Sequence, residues 1–154
     1  MPTSPFRAER HWPAWGQVGW TDPDNRRTYP WGHEDRSLID LHRDLIQLRK
    51  ALPVLRDGSL KPLLAEYGRI AYARFNDEMR CVIAVNNTGG WTDFRLFARD
   101  AGAAEGEAFF RRIQTSQEGH KTAQEEACRV TDGFLAFDLP PFSSVILSNV
   151  SGRE

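Results

Sequence analysis

A short stretch near the start of the chain, TDPDNRRTYPWGHED at residues 21–35, concentrates groups that could act on a hydroxyl-rich ligand. Asp22 and Asp24 stand two residues apart, and paired carboxylates suit general acid–base or glycosidase chemistry. Asp-Pro-Asp-Asn is also ordinary turn chemistry, so Asp24 and Asn25 are predicted to shape the turn. Asp22 and Arg26 suit binding better, because a carboxylate accepts and a guanidinium donates hydrogen bonds to sugar hydroxyls.

Aromatic side chains accompany these charged groups. Residues 1–35 hold four of the five tryptophans and five of the nine prolines, a proline density that prevents a regular helix or a central strand. We therefore expect an irregular segment at 1–35. Trp31, with Trp20 and Tyr29, can offer a flat apolar face to a sugar ring. The predicted substrate-binding residues are Asp22, Arg26 and Trp31, and no catalytic residue is predicted.

Other kinds of site find little support in the sequence. The four histidines are dispersed without metal-ligand spacing, so neither a metal nor a cofactor is predicted. The glycine-rich NNTGG at 86–90 is interpreted as a hairpin turn between two strands. Cys81 lies in the apolar run CVIAV, which favours a free core thiol, and a disulfide between Cys81 and Cys128 stays open as the alternative.

The charge balance of the chain disfavours partners that bind through a strong net charge. The chain has 154 residues, 27% of them charged, and a formal net charge of −1, which disfavours nucleic acid and anionic membranes. No apolar run reaches the roughly 20 residues that span a bilayer. The start, MPTSPFRAERHW, lacks the apolar core of a signal peptide, so we expect a cytoplasmic location.

One helix and a set of strands must position the candidate site. The helix is predicted over 36–52 and ends before Pro53. Its apolar stripe has helical spacing and consists of Leu38, Leu41, Leu45, Leu48 and Leu52. Residues 53–154 contain short segments rich in branched and aromatic residues between turn clusters, which favours an antiparallel β-sandwich. The polar stretch 99–126 is predicted as a loop, one strand at 109–115, and a second loop.

Four segments in order carry a resemblance to a known family: GWTDPDNRRTYPW, the helix LIQLRKALPVLRDG, the strand VIAVNN and the closing LPPFSSVIL. Together they resemble the C-terminal end of alpha-amylase superfamily glycoside hydrolases, most nearly the neopullulanase, cyclomaltodextrinase and maltogenic amylase group. The resemblance implies three regions: a sugar-contacting loop in 1–35, the last helix of a catalytic β/α barrel at 36–52, and a Greek-key sandwich called domain C at 53–154. By motif, Asp22 and Arg26 match residues that contact sugar in such enzymes.

The resemblance also implies what this chain lacks. The family's catalytic carboxylates come from earlier barrel strands, and none of those motifs occurs here, so the chain is expected to be an inactive fragment when alone. Its expected partners are an alpha-glucan or maltooligosaccharide and the missing barrel. The helix stripe must pack on the sandwich, on the N-terminal zone or on another molecule, and we expect self-association or refolding of that zone across it.

Three functions remain open at this stage. The first is the non-catalytic C-terminal portion of an alpha-glucan hydrolase. The second is a free-standing carbohydrate-binding sandwich that uses exposed aromatics. The third, a small enzyme using Asp22 and Asp24, is weakest because paired carboxylates in a turn usually only shape it. Saturable binding of maltooligosaccharide by the isolated chain would distinguish the second from the first.

Overall fold

The structure is a computed structural model that describes residues 31–122 and 125–150. The chain divides into two compact units, Met1–Arg36 and Ser37–Glu154. Helix α1 (Arg36–Ala51) is followed by a single turn of helix, α2 (Val54–Asp57). The strands are β1 (Ser59–Glu66), β2 (Arg69–Phe75), β3 (Arg80–Asn86), β4 (Thr92–Phe97), β5 (Ala108–Ser116), β6 (Gly119–Thr122), β7 (Glu126–Arg129), β8 (Phe134–Leu139) and β9 (Ser143–Ser148).

The strands form two antiparallel sheets. The larger sheet has seven strands in the order β1-β2-β3-β9-β5-β6, with β7 paired to β5 outside this path, and the smaller sheet consists of β4 and β8. The chain crosses between the sheets after β3, after β4, after β7 and after β8. This confirms the predicted mainly-β sandwich with one substantial helix.

The main core lies between the two sheets. Val82, Phe94, Leu135 and Leu147 are buried there, and the rings of Phe94 and Phe137 stack with centroids 5.3 Å apart. The alternation in β4 places Phe94 and Leu96 inward and the residues between them outward, as the sequence predicts for a half-buried strand. Period-two burial on both sheets therefore produces one continuous apolar layer.

A second apolar cluster lies on the opposite face of the larger sheet. Leu48 of α1 and Leu52, which directly follows the helix, are buried there with Val54, against Ile83 and Ile113 of the sheet. Leu41 and Leu45 are partly buried in the same cluster. The C-terminal half of the leucine stripe thus packs on the sandwich, which is one of the three possibilities that the sequence leaves open.

Two local predictions are wrong because of long-range pairing. Residues in the stretch predicted as a loop form β6 and the first residue of β7, and these two strands hydrogen bond to opposite ends of β5. NNTGG is not a hairpin turn, since it connects β3 and β4, which lie in different sheets. Helix α1 ends before Pro53, as predicted, and the chain then makes the further turn α2, at whose start a proline gives up no hydrogen bond.

Candidate functional site

The loop predicted to contact sugar lies largely outside the described residues. This holds for Asp22, Asp24, Asn25 and Arg26, so their predicted roles stay predictions. Trp31 is described, and it lies in a turn with 80% of its surface exposed. The Trp31 indole is thus accessible to a ligand.

The acidic residues after Trp31 include one with a perturbed carboxyl group. Backbone hydrogen bonds from Glu34 itself and from Gly32, with help from the neighbouring Arg36, hold the pKa of the Glu34 carboxyl below its usual range. The Arg36 Nη2 lies 3.4 Å from Glu34 Oε2. A carboxylate that is ionised at neutral pH and hydrogen bonded in this way suits a structural role just before helix α1, rather than proton donation.

Helix α1 is fixed to the sandwich by polar contacts as well as by its leucines. His120 Nε2, in β6, lies 2.8 Å from Asp44 Oδ2 on the helix. At the other end, Arg49 donates a hydrogen bond of 2.6 Å to the Leu55 carbonyl, which ties the helix to α2. These contacts position the helix on the sandwich.

At one end of the sandwich two neighbouring turns present exposed aromatic rings. The β1–β2 turn carries Tyr67, which is 102% exposed, and the segment between β3 and β4 carries Trp91, which is 70% exposed. The two segments touch, because the Asn87 N–H donates a 2.7 Å hydrogen bond to the Gly68 carbonyl. Gly68 has φ +72°, and a Cβ there would stand 2.6 Å from the Thr88 methyl group, so this approach requires glycine.

The segment that carries Trp91 is held by one buried amide. The side-chain Nδ2 of Asn86, a residue only 1% exposed, donates to the carbonyls of Gly90 at 2.8 Å, Pro140 at 2.8 Å and Leu139 at 3.2 Å. Its Oδ1 accepts from the N–H and the hydroxyl of Thr88, at 3.0 and 2.7 Å. A buried polar group with this many partners fixes the backbone of an otherwise glycine-rich segment.

Charged residues lie close in sequence to Tyr67 and Trp91. Arg69 donates through Nη1 to the Asp93 carbonyl at 3.0 Å, which joins the two sheets, and through Nη2 to the Glu66 carboxylate. Sequence reasoning did not single out Tyr67 or Asn86. Tyr67 directly follows strand β1 and precedes Gly68, which is an ordinary sequence for a turn. The sequence NNTGG does not show which of its two adjacent asparagines is buried.

Other chemistry is not evident in the part of the chain that the structure describes. Across 31–122 and 125–150, no three His, Cys, Asp or Glu side chains are grouped closely enough to hold a metal ion. Over the same residues, neither helix is long and apolar enough to traverse a lipid bilayer.

Both cysteines are free thiols, as predicted for Cys81. Burial raises the pKa of Cys81 to about 12 and that of Cys128 to about 11. Cys81 lies in the cluster beneath α1, and Cys128 packs against the cluster between the sheets. The two thiols therefore face opposite sides of the larger sheet, which argues against the disulfide alternative.

Comparison with known proteins supports the predicted resemblance. The amylopullulanase of Thermoanaerobacterium saccharolyticum is 26% identical over 154 aligned residues, which cover 90% of this chain and 11% of that protein. No family model matches the chain. The chain thus spans about a tenth of the length of this relative.

Solved structures agree with the sequence match. An alpha-amylase from Anoxybacillus superposes with a TM-score of 0.64 and 28% identity, over 82% of this chain and 25% of that one. An alpha-amylase from Geobacillus thermoleovorans, solved in complex with acarbose, superposes with a TM-score of 0.68 over 83% of this chain and 26% of that one. The two sequences are 22% identical, so this likeness concerns the fold alone. The resemblance to a C-terminal portion of alpha-amylase-type enzymes, predicted from the sequence, is confirmed.

Proposed function

We propose that this chain, related to amylopullulanases and alpha-amylases, serves as the non-catalytic C-terminal portion of an alpha-glucan hydrolase. In this role the sandwich is the enzyme's domain C, and it stabilises and shields a catalytic β/α barrel. The observation that carries the proposal is the order of elements: a helix with a leucine stripe leads directly into a two-sheet sandwich, over a region that matches such enzymes across most of the chain.

The helix supports a barrel partner through the side that the sandwich leaves uncovered. Leu48 and Leu52 are buried on the sheet, whereas Ile46, two residues before Leu48 and so about 200° around the helix, is 52% exposed. A helix with apolar residues on more than one side is usually packed on more than one side. The exposed side of α1 is therefore the part of this chain that we assign to the barrel contact.

The loop at 21–35 completes the proposed role. Asp22 and Arg26 would form hydrogen bonds to sugar hydroxyls on one side of the substrate cleft, and Trp31, whose ring is accessible, would pack against a sugar ring. The reactive carboxylates would come from the barrel. The neighbours solved with acarbose, maltose and maltotriose support oligosaccharides as the ligand class, and pullulan and cyclodextrins extend it within the resemblance to neopullulanases.

Complementation tests this proposal. The catalytic part of the T. saccharolyticum amylopullulanase is produced without the segment that matches this chain, and its melting temperature and pullulan hydrolysis are measured with and without this chain added. We expect the chain alone to hydrolyse neither maltotriose nor pullulan, and to raise both properties of the truncated enzyme.

Two neighbouring residues supply matched variants for that test. Ile46→Asp places a charge on the exposed apolar position and should abolish the effect, whereas Gln47→Asp, an equal charge at an exposed polar position, should retain it. The proposal is wrong if the wild-type chain leaves the truncated enzyme unchanged, or if both variants act like wild type.

A further inference from the structure

We propose that Tyr67 and Trp91, two residues of the sandwich, form an aromatic platform that binds an α-linked glucan chain by stacking against its sugar rings. The name "aromatic platform" denotes these two side chains alone. The choice of glucan as ligand rests on the function proposed above, but the platform itself rests on observations in the sandwich.

The first observation is exposure without structural need. Large aromatic side chains in a sandwich are normally buried, since each carries about 150–250 Å² of surface. Tyr67 is fully exposed and Trp91 is 70% exposed, whereas Phe94, three residues later, is 1% exposed in the core. Neither Tyr67 nor Trp91 belongs to the two apolar clusters, so folding of the sandwich does not account for either ring.

The second observation is rigidity. A glycine-rich segment loses much conformational entropy when it becomes ordered. If the segment were not already ordered in the free protein, that entropy cost would weaken ligand binding. Here the five hydrogen bonds of the Asn86 side chain fix the segment before Trp91. The link from Asn87 to Gly68 joins this segment to the turn that carries Tyr67. The two rings therefore start from a preorganised backbone.

The third observation is the charge of the two segments that carry the rings. Glu66 and Arg69 flank the β1–β2 turn and Asp93 follows Trp91 by two residues, so the segments carry both signs and a small negative excess. That balance disfavours nucleic acid and anionic lipid. A sugar presents apolar C–H faces and hydroxyl edges, which match flat rings bordered by hydrogen-bonding groups. A neutral, hydroxyl-rich chain is the occupant that these features fit best.

Native electrophoresis of the full chain in gels cast with amylopectin, together with titration of maltoheptaose by calorimetry, tests the platform. We expect amylopectin to retard the wild-type chain. Tyr67→Ala and Trp91→Ala should each raise the Kd for maltoheptaose about fivefold to tenfold, the equivalent of one lost ring contact. Because both side chains are exposed, the variants should melt at the wild-type temperature.

The control uses another exposed aromatic residue. Phe97→Ala removes a 51% exposed ring from the outer side of β4. It should leave retardation by amylopectin unchanged. Gels cast with dextran, whose linkages are α-1,6, test whether the platform distinguishes the α-1,4 backbone.

The results decide the proposal in each direction. It is overturned if the wild-type chain does not bind either glucan, if the platform variants bind like wild type, or if Phe97→Ala weakens binding as much as they do. Weakening by only one of Tyr67→Ala and Trp91→Ala shows that the two rings do not act together and refutes the platform. The complementation assay, repeated with Trp91→Ala, keeps the proposals separate, because barrel stabilisation should survive in that variant.

Discussion

Replacing Asn86 tests the claim that one buried amide holds the segment between β3 and β4. Asn86→Ala removes five hydrogen bonds and leaves three carbonyl groups and the N–H and hydroxyl of Thr88 without this partner. Each net hydrogen bond contributes about 1 kcal/mol, and water can reach some of the freed groups, since Gly90 is exposed. We therefore expect the free energy of unfolding to fall by about 3–5 kcal/mol.

The adjacent asparagine provides a matched control. Asn87 has an exposed side chain, and the hydrogen bond that it makes to Gly68 comes from its backbone N–H, which survives in Asn87→Ala. That variant should change the free energy of unfolding by less than about 0.5 kcal/mol. Asn86→Asp keeps the size of the side chain but replaces the donating nitrogen by an acceptor that faces three carbonyls, so it should destabilise at least as much as Asn86→Ala.

Urea unfolding at neutral pH, followed by far-UV circular dichroism and by tryptophan fluorescence, measures these differences. The m-value should stay constant, because the surface exposed on unfolding does not change. The reasoning is refuted if Asn86→Ala loses less than about 1 kcal/mol, or if Asn86→Asp is tolerated, since either result would mean that water or backbone adjustment replaces the amide.

Three further predictions concern the helix and the buried thiol. Leu52→Ala removes most of a side chain that is only 3% exposed, so the free energy of unfolding in urea should fall by about 2–5 kcal/mol. Ile46→Ala, on the exposed side of the helix, should lower it by less than about 1 kcal/mol. Asp44→Asn should cost less than about 1 kcal/mol in the same assay, because the carboxylate beside His120 is 42% exposed; a larger loss would show that this pair rather than leucine burial holds the helix. Cys81 should resist a thiol reagent at pH 8 until urea unfolds the chain, because burial raises its pKa to about 12 from the ordinary 9.0. Above about pH 9 the unfolded state releases this proton first, so stability should fall by about 1.4 kcal/mol per pH unit from this thiol, and that part of the slope should vanish in Cys81→Ala.

The sequence predicts elements well where local pattern and burial agree. Leucines at helical spacing locate α1, and the alternation around Phe94 locates β4, because each pattern reports a single face that the fold then buries. The polar segments that form β6 and β7 have no such face, and only pairing with β5 makes them strands.

The candidate sites were less predictable, for a physical reason. Asn86 and Asn87 are chemically identical neighbours, and their different roles depend on the carbonyls of Leu139 and Pro140, more than 50 residues away. The exposure of Tyr67 and Trp91 likewise depends on which turns meet at one end of the sandwich. Such properties arise from topology, which the local sequence does not encode.

The way α1 packs also bears on the expected self-association. Of the three surfaces that the sequence left open for the leucine stripe, the sandwich covers Leu48 and Leu52, which are buried against the sheet. What remains exposed on the helix is Ile46, a much smaller apolar surface than five leucines. The drive for two copies to associate through this stripe is correspondingly weaker.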